Sequence, residues 1–347
     1  MLVDSLPEQR AETAPAPPAR RAVRSLGLLA SVAVLACVAL ASIAIGAKEL
    51  PLGQVWHGLF HDSGTYADVV VGERLSRTVL GLLVGAAFGL SGAVLQALTR
   101  NPLADPGLLG INAGASAAVV TAITYFGVTT LTGYVWFAFF GAAAVGVLVW
   151  FLGGSRGATP VRLALAGTAI SAALYGYLQA VMIMDNAALG KMRFWTVGSL
   201  ASATDGTITR VLPFLVVGTV LALSLARPLN AMAMGDDTAR ALGAHLTRTR
   251  ALSLAAATVL CGAATAACGP IVFVGLMVPH AVRSFTGPDM RWILPYAAVL
   301  SPVLLLGADV VGRVVARPAE LQVGIVTALL GGPVFIHLVR RRRTAQL

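Results

Sequence analysis

Few residues in this sequence could do chemistry, and their spacing fits none of the common reactions. The five histidines, His57, His61, His245, His280 and His337, are scattered, and no HExxH sets two of them on one helix face. Cys37, Cys261 and Cys268 each lie inside an apolar run with no CxxC partner, so they read as small packing residues, not zinc ligands or a disulfide frame. The Gly190-Lys191 pair has Asp185 where a phosphate-binding loop needs its first glycine, and Met192 where it needs Ser or Thr. No GxSxG marks a nucleophile elbow. The expectation is a chain with no catalytic residue, no bound metal and no nucleotide site of its own.

What surrounds these residues is a membrane protein. Of 347 residues, 57% are hydrophobic and only 12% charged, against roughly 25% charged in soluble domains. Abundant Ala and Gly with few aromatics suit closely packed helices, so the fold class is an all-α integral membrane protein. Apolar runs of roughly spanning length lie near 26–47, 78–98, 108–126, 132–152, 163–184, 207–226, 251–268, 269–284, 292–310 and 324–339, which predicts about ten transmembrane helices within a domain covering 25–340. Residues 1–24 read as a disordered tail and 341–347 as a short basic one. The first run lacks the pattern of a removed signal peptide.

Charge sets the orientation. Arg10, Arg20, Arg21 and Arg24 precede the first run, and Arg340 to Arg343 follow the last, so both termini are expected in the cytoplasm. The net charge of +10 is then loop charge obeying the positive-inside rule, not a nucleic-acid surface. Asp185 and Asp309 fall near span ends, whereas ion-coupled transporters place carboxylates or broken helices at the midplane. Gly81, Gly85 and Gly89 recur every four residues, ahead of Ser91 and Gly92. That face admits another backbone closely, and packing within the chain is the simplest use of it.

Two polar stretches interrupt the apolar text on the expected cytoplasmic side. In SGAVLQALTRNPLADPGLLG, Pro102 and Pro106 remove backbone donors and disfavour helix at Asn101 and Asp105. A helix should end near Leu98 and another begin near Leu108. The second stretch, 227–250, is the longest cytoplasmic loop. Pro228 and Asn230 should close the sixth span, and Asp236 or Asp237 can cap a short helix over 238–242 that ends at Gly243. Ala239 and Leu242, three apart, would share a face. Spacing alone leaves open whether this loop is merely solvated or docks into another protein.

Here the residues resemble a known family, the FecCD permeases of ABC importers, over about Arg74 to Arg340. SGAVLQALTRNPLADPGLLGINAGAS is similar to the family's SGxxxQxxxRNPLAxPxxLGxxxGA. GPIVFVGLMVPHAVRSFTGPDMRW is similar to GxIxFVGLxxPHxxRxxxGxDxR, and ADVVGR, ELQVG and GGPVF follow in order. The resemblance implies a type II importer fold in which two permease chains pair, two ATPase subunits carrying ATP and magnesium bind below, and an extracytoplasmic binding protein delivers substrate. Gly235, Asp236, Ala239, Leu242 and Gly243 match the family's coupling segment for the ATPase. Arg74, Arg77 and Arg313 resemble positions that pair with acidic residues of the binding protein. Asn101, Pro102, Asp105, Pro106, Pro279, His280 and Arg283 are signature positions, expected to hold the inner gate or brace the coupling helix. Two departures stand out: Ser76 and Gln322 replace usual prolines, and loss of the first should loosen the turn before the second span.

The expectation is a permease subunit that moves a ferric siderophore, most like the catecholate systems that pair unlike permeases, in the cytoplasmic membrane of a bacterium. Haem or cobalamin is the alternative cargo. An ion-coupled transporter, or a membrane scaffold or enzyme with no transport role, is the alternative class.

Overall fold

A computed structural model describes residues 18–60, 64–128, 130–154, 160–201 and 203–343. It is helical throughout: α1 (Pro18–Ala44), α2 (Leu52–Phe60), α3 (Tyr66–Thr99), a 3-10 turn (Pro106–Leu109), α4 (Ile111–Phe126), α5 (Leu131–Gly154), α6 (Pro160–Met184), α7 (Asn186–Trp195), α8 (Asp205–Ser224), α9 (Ala226–Ala233), α10 (Asp236–Ala241), α11 (Leu246–Cys268), α12 (Val274–Thr286), α13 (Met290–Val315) and α14 (Val323–Arg343). The ten apolar runs become α1, α3, α4, α5, α6, α8, α11, α12, α13 and α14. Among the described residues, seven of these are long and apolar enough to cross a membrane by themselves.

The eighth run divides in two. Gly269 to Phe273 is irregular, and α12 has 13 residues, about 20 Å of helix against the roughly 30 Å of a hydrocarbon core. Backbone outside a helix is tolerated at that depth only where protein covers it, and here the turn from Trp195 to Gly198 packs on Gly269 to Ile271 while Gly331 of α14 backs Phe273. Pro279 has no N–H for the carbonyl four residues back, Gly275. The Gln96 side chain supplies the donor instead: Nε2 lies 3.3 Å from the Gly275 oxygen and 3.0 Å from the Leu276 oxygen.

Helices α3 and α11 form the buried centre, while α1 and α6 stay largely exposed. The glycine repeat sets the α3 packing. A Cβ at Gly85 would meet the Pro302 backbone, one at Gly89 would meet Ser301 and the Ala297 carbonyl, and one at Gly92 would fall on Gly275. The small face is therefore used inside the chain, against α13 and α12, as the sequence suggested.

Four boundaries differ from expectation. The tail expected over 1–24 lies outside the described residues up to 17, and from Pro18 the chain is already α1. Likewise α14 continues through Arg343, and only 344–347 of the basic tail lie outside the described residues. Helix α3 begins at Tyr66, capped by Thr65 and Asp68 bonding reciprocally, so Arg74, Ser76 and Arg77 are helical. There is no turn for a missing proline to loosen; the Ser76 hydroxyl donates to Asp205, 2.9 Å away. Finally, Pro228 and Asn230 do not close a span but lie within α9, where Pro228 sits in the first turn and needs no N–H partner.

Candidate functional sites at the two ends of the bundle

At one end, Asp236 ties three elements together. Helix α3 stops at Thr99, and Arg100 takes the left-handed conformation (φ 50°), which turns its side chain across the end of the bundle. The Arg100 guanidinium pairs with one Asp236 oxygen, and Arg250 in α11 pairs with the other at 2.6 Å. Burial disfavours ionisation of Asp236, but the hydrogen bonds and charge of the two arginines outweigh it and hold the carboxyl below the usual range. Neither aspartate caps α10: the cap position is Gly235 (φ 108°), where no side-chain bond is made. Nor do Ala239 and Leu242 share a face. Ala239 is buried, while Leu242, just past the helix, is 62% exposed, and Gly243 (φ 79°) then reverses the chain. The result is a short helix anchored by one residue and presenting another.

The neighbouring turn is equally built. The Asn101 side-chain oxygen accepts from the Leu103 N–H at 3.0 Å, and Asp105 accepts from Gly107 at 2.8 Å, with Pro106 opening the 3-10 turn. Burial pushes the Asp105 carboxyl up to about 6, with the Gly107 bond working the other way. Asn101 and Asp105 line a recess of about 280 Å³ between α3 and the first turns of α6. Pro279, His280 and Arg283 lie along α12, Pro279 buried and the other two half-buried.

Asn230, expected from sequence only to help close a span, instead links α9 to this corner. Its Nδ2 donates to Asp289 at 2.6 Å and its Oδ1 accepts from the Met290 N–H at 2.8 Å, where α13 begins. Segment α9–α10 is thus fastened to the ends of α3, α11 and α13 through two polar side chains. Gln96 could have been found from sequence, since it is the fixed glutamine of the first quoted motif. The structure sets it and Gly92 against Gly275 and Leu276 of the second motif, so the two signatures form one joint.

At the opposite end the expected docking arginines turn inward. Arg77 meets Asp309 side-on, with Nη2 2.7 Å from Oδ1 and Nε 3.0 Å from Oδ2, and its Nη1 reaches Glu320 at 2.7 Å. Arg313 lies 3.0 Å from the other side of Asp309 and donates to the Ser42 and Ile45 carbonyls at 2.9 and 3.0 Å. Arg74 donates to the Ile43 and Ala44 carbonyls at 3.1 and 3.0 Å. Arg74 and Arg313 thus close the end of α1, whose last carbonyls have no helical partners. All three arginines are under 10% exposed, and Asp309, which sequence placed only near a span end, is the acid between two of them. They are not free surface charges. They floor a recess of about 500 Å³ whose rim carries the exposed Lys48, Glu73 and Glu320.

Comparison with known proteins agrees with this architecture. The sequence profile of the FecCD transport family matches residues 34–341. The chain is similar to the ferric enterobactin transport system permease protein FepD of Escherichia coli (strain K12), 45% identical over 93% of this chain and 96% of that one. FepG of the same system and organism is 36% identical over 92% and 96%. A solved structure described as an inward-facing conformation of a metal-chelate type ABC transporter superposes with a TM-score of 0.80, at 27% identity, over 91% of this chain and 99% of that one.

Proposed function

Because this chain belongs to the FecCD transport family, we propose that it is the membrane-spanning permease subunit of an ABC importer that moves a ferric siderophore. The similarity to two ferric enterobactin permeases supports that cargo class. Because those two are different chains of one system, it also supports pairing with a paralogous permease. The chain is a multi-pass membrane protein and a transport subunit; hydrolysis of ATP, with its magnesium, falls to two separate ATPase subunits.

Helix α10 is the observation that carries the reading. Docking needs a projecting group on a rigid mount. Leu242 stands exposed beside a helix whose buried Ala239 and twice-bridged Asp236 fix it to the bundle. We infer that Leu242 enters the ATPase and that force on α10 reaches α3 and α11 through Arg100 and Arg250, and α13 through Asn230. This end, with both chain termini, then faces the cytoplasm of a bacterium. In this reading the Asn101 to Pro106 turn and the Pro279 to Arg283 segment of α12 hold the inner gate or brace the coupling helix. The recess at the far end receives the binding protein through Lys48, Glu73 and Glu320, while Arg74, Arg77 and Arg313 hold its floor.

The test is the subunit composition of the complex, purified gently in detergent. Two ATPase subunits and one further permease species are expected with the wild-type chain. The Leu242→Asp variant should fold normally and lose the ATPase pair. A wild-type complex without any ATPase, or full ATPase retention by the variant, would overturn the assignment.

A further inference from the structure

Where α8, α9 and α11 meet, beside but distinct from the Asp236 bridges, lies a recess of about 520 Å³ lined by Ser224, Leu225, Arg227, His245, Arg248 and Leu252 among others. Its charge is one-sided: no carboxylate lines it, and Arg227 and Arg248 are exposed with no acidic partner among the described residues. The nearby acids are engaged elsewhere, Asp236 by Arg100 and Arg250 and Asp237 by Arg240. Helix α11 starts at this recess without a side-chain cap, so its positive end adds to the same field.

Directly above, α8 presents Val216, Val217, Val220 and Leu223, each more than 40% exposed. An apolar strip about as long as part of an acyl chain therefore leads down to two unpaired guanidinium groups. Such groups meet a phosphate oxygen pair in a two-pronged way, and a basic pocket between helices at the membrane boundary is the usual form of an anionic headgroup site. We propose that this recess binds an anionic phospholipid, its phosphate held by Arg227 and Arg248 and its chains lying along α8. The proposal stands apart from the transport assignment, since it needs only a bilayer. Its position against Leu242 and Gly243 gives the lipid a place to stiffen the base of α10.

The test is native mass spectrometry of the full chain in detergent, titrated with phosphatidylglycerol and, separately, with phosphatidylcholine. Wild type should retain phosphatidylglycerol about 30-fold more strongly, taking two arginine contacts at a charged membrane surface. Arg227→Ala with Arg248→Ala should bring it to the phosphatidylcholine level, while Lys191→Ala with Arg193→Ala, at the other end, should not. Equal retention by wild type and the Arg227/Arg248 variant would overturn the proposal. So would competition by millimolar inorganic phosphate, which would mark a free-anion site. Loss of the ATPase subunits from that variant with lipid retention unchanged would assign the recess to a protein partner and overturn it too.

Discussion

Replacing Asp309 with asparagine should damage this protein more than any surface charge change. Asp309 is fully buried, and four donor contacts from Arg77 and Arg313 converge on its two oxygens. Asparagine keeps the shape, removes the charge, and points an amide donor at guanidinium donors. Arg77 keeps Glu320 and Arg313 keeps the α1 carbonyls, yet both lose their buried counter-charge. Breaking a buried pair from one side costs about 3–5 kcal/mol, which at roughly 2–4 °C per kcal/mol for large chains is a fall of about 10 °C in Tm. Glu320→Gln removes an equally short contact to the same arginine, but the Glu320 side chain is 36% exposed. Its loss should cost about 1 kcal/mol or less. The assay is heating in a single detergent followed by fluorescence-detected size exclusion, comparing both variants with wild type. A compound variant, Asp309→Leu with Arg77→Met, should recover part of the loss because one unpaired charge goes with the acid. The reasoning fails if Glu320→Gln costs as much as Asp309→Asn, or if Asp309→Asn lies within 2 °C, roughly 1 kcal/mol, of wild type.

Three further outcomes follow from the packing and the bridges. Gln96→Leu should cost about 1–3 kcal/mol by stripping donors from the Gly275 and Leu276 carbonyls, read as a Tm drop; no drop would mean Pro279 needs no help from α3. Gly92→Ala should destabilise by about 1–3 kcal/mol, since the added carbon falls on the Gly275 backbone, while Gly176→Ala, open on all sides, should be nearly neutral; equal effects would refute the close approach. The Asp236 carboxyl is held below its unfolded value, so the stability it contributes is present above that value, near 3.9, and is lost as pH falls through the folded one. The Tm gap between wild type and Asp236→Asn, about 1 kcal/mol in origin, should therefore stay constant from pH 8 to 5; a gap that closes near neutrality would count against the bridges.

Much of this protein was legible because a bilayer makes strong demands on local sequence. Ten apolar runs became ten helices, and Asn101-Pro102 with Asp105-Pro106 ended one helix and opened the next where backbone chemistry required. Capping was harder to read. Asp236 looked like a cap by position, but its carboxylate pairs with Arg100, 136 residues away, and with Arg250 in the next helix, and glycine took the cap. Leu242 and Ala239 parted because α10 ends one residue earlier than spacing suggested.

The sequence by itself determined which segments are apolar enough for lipid and where the chain breaks, since hydropathy and proline act within a few residues. Only the tertiary structure decided where the arginines point. Arg77 and Asp309 are 232 residues apart and meet because glycines let α3 and α13 approach. Arg74 and Arg313 turn inward because the end of α1 offers carbonyls with no other donors. Guanidinium direction is set by what packs alongside, and that partner lies too far along the chain for residue type or spacing to reveal it.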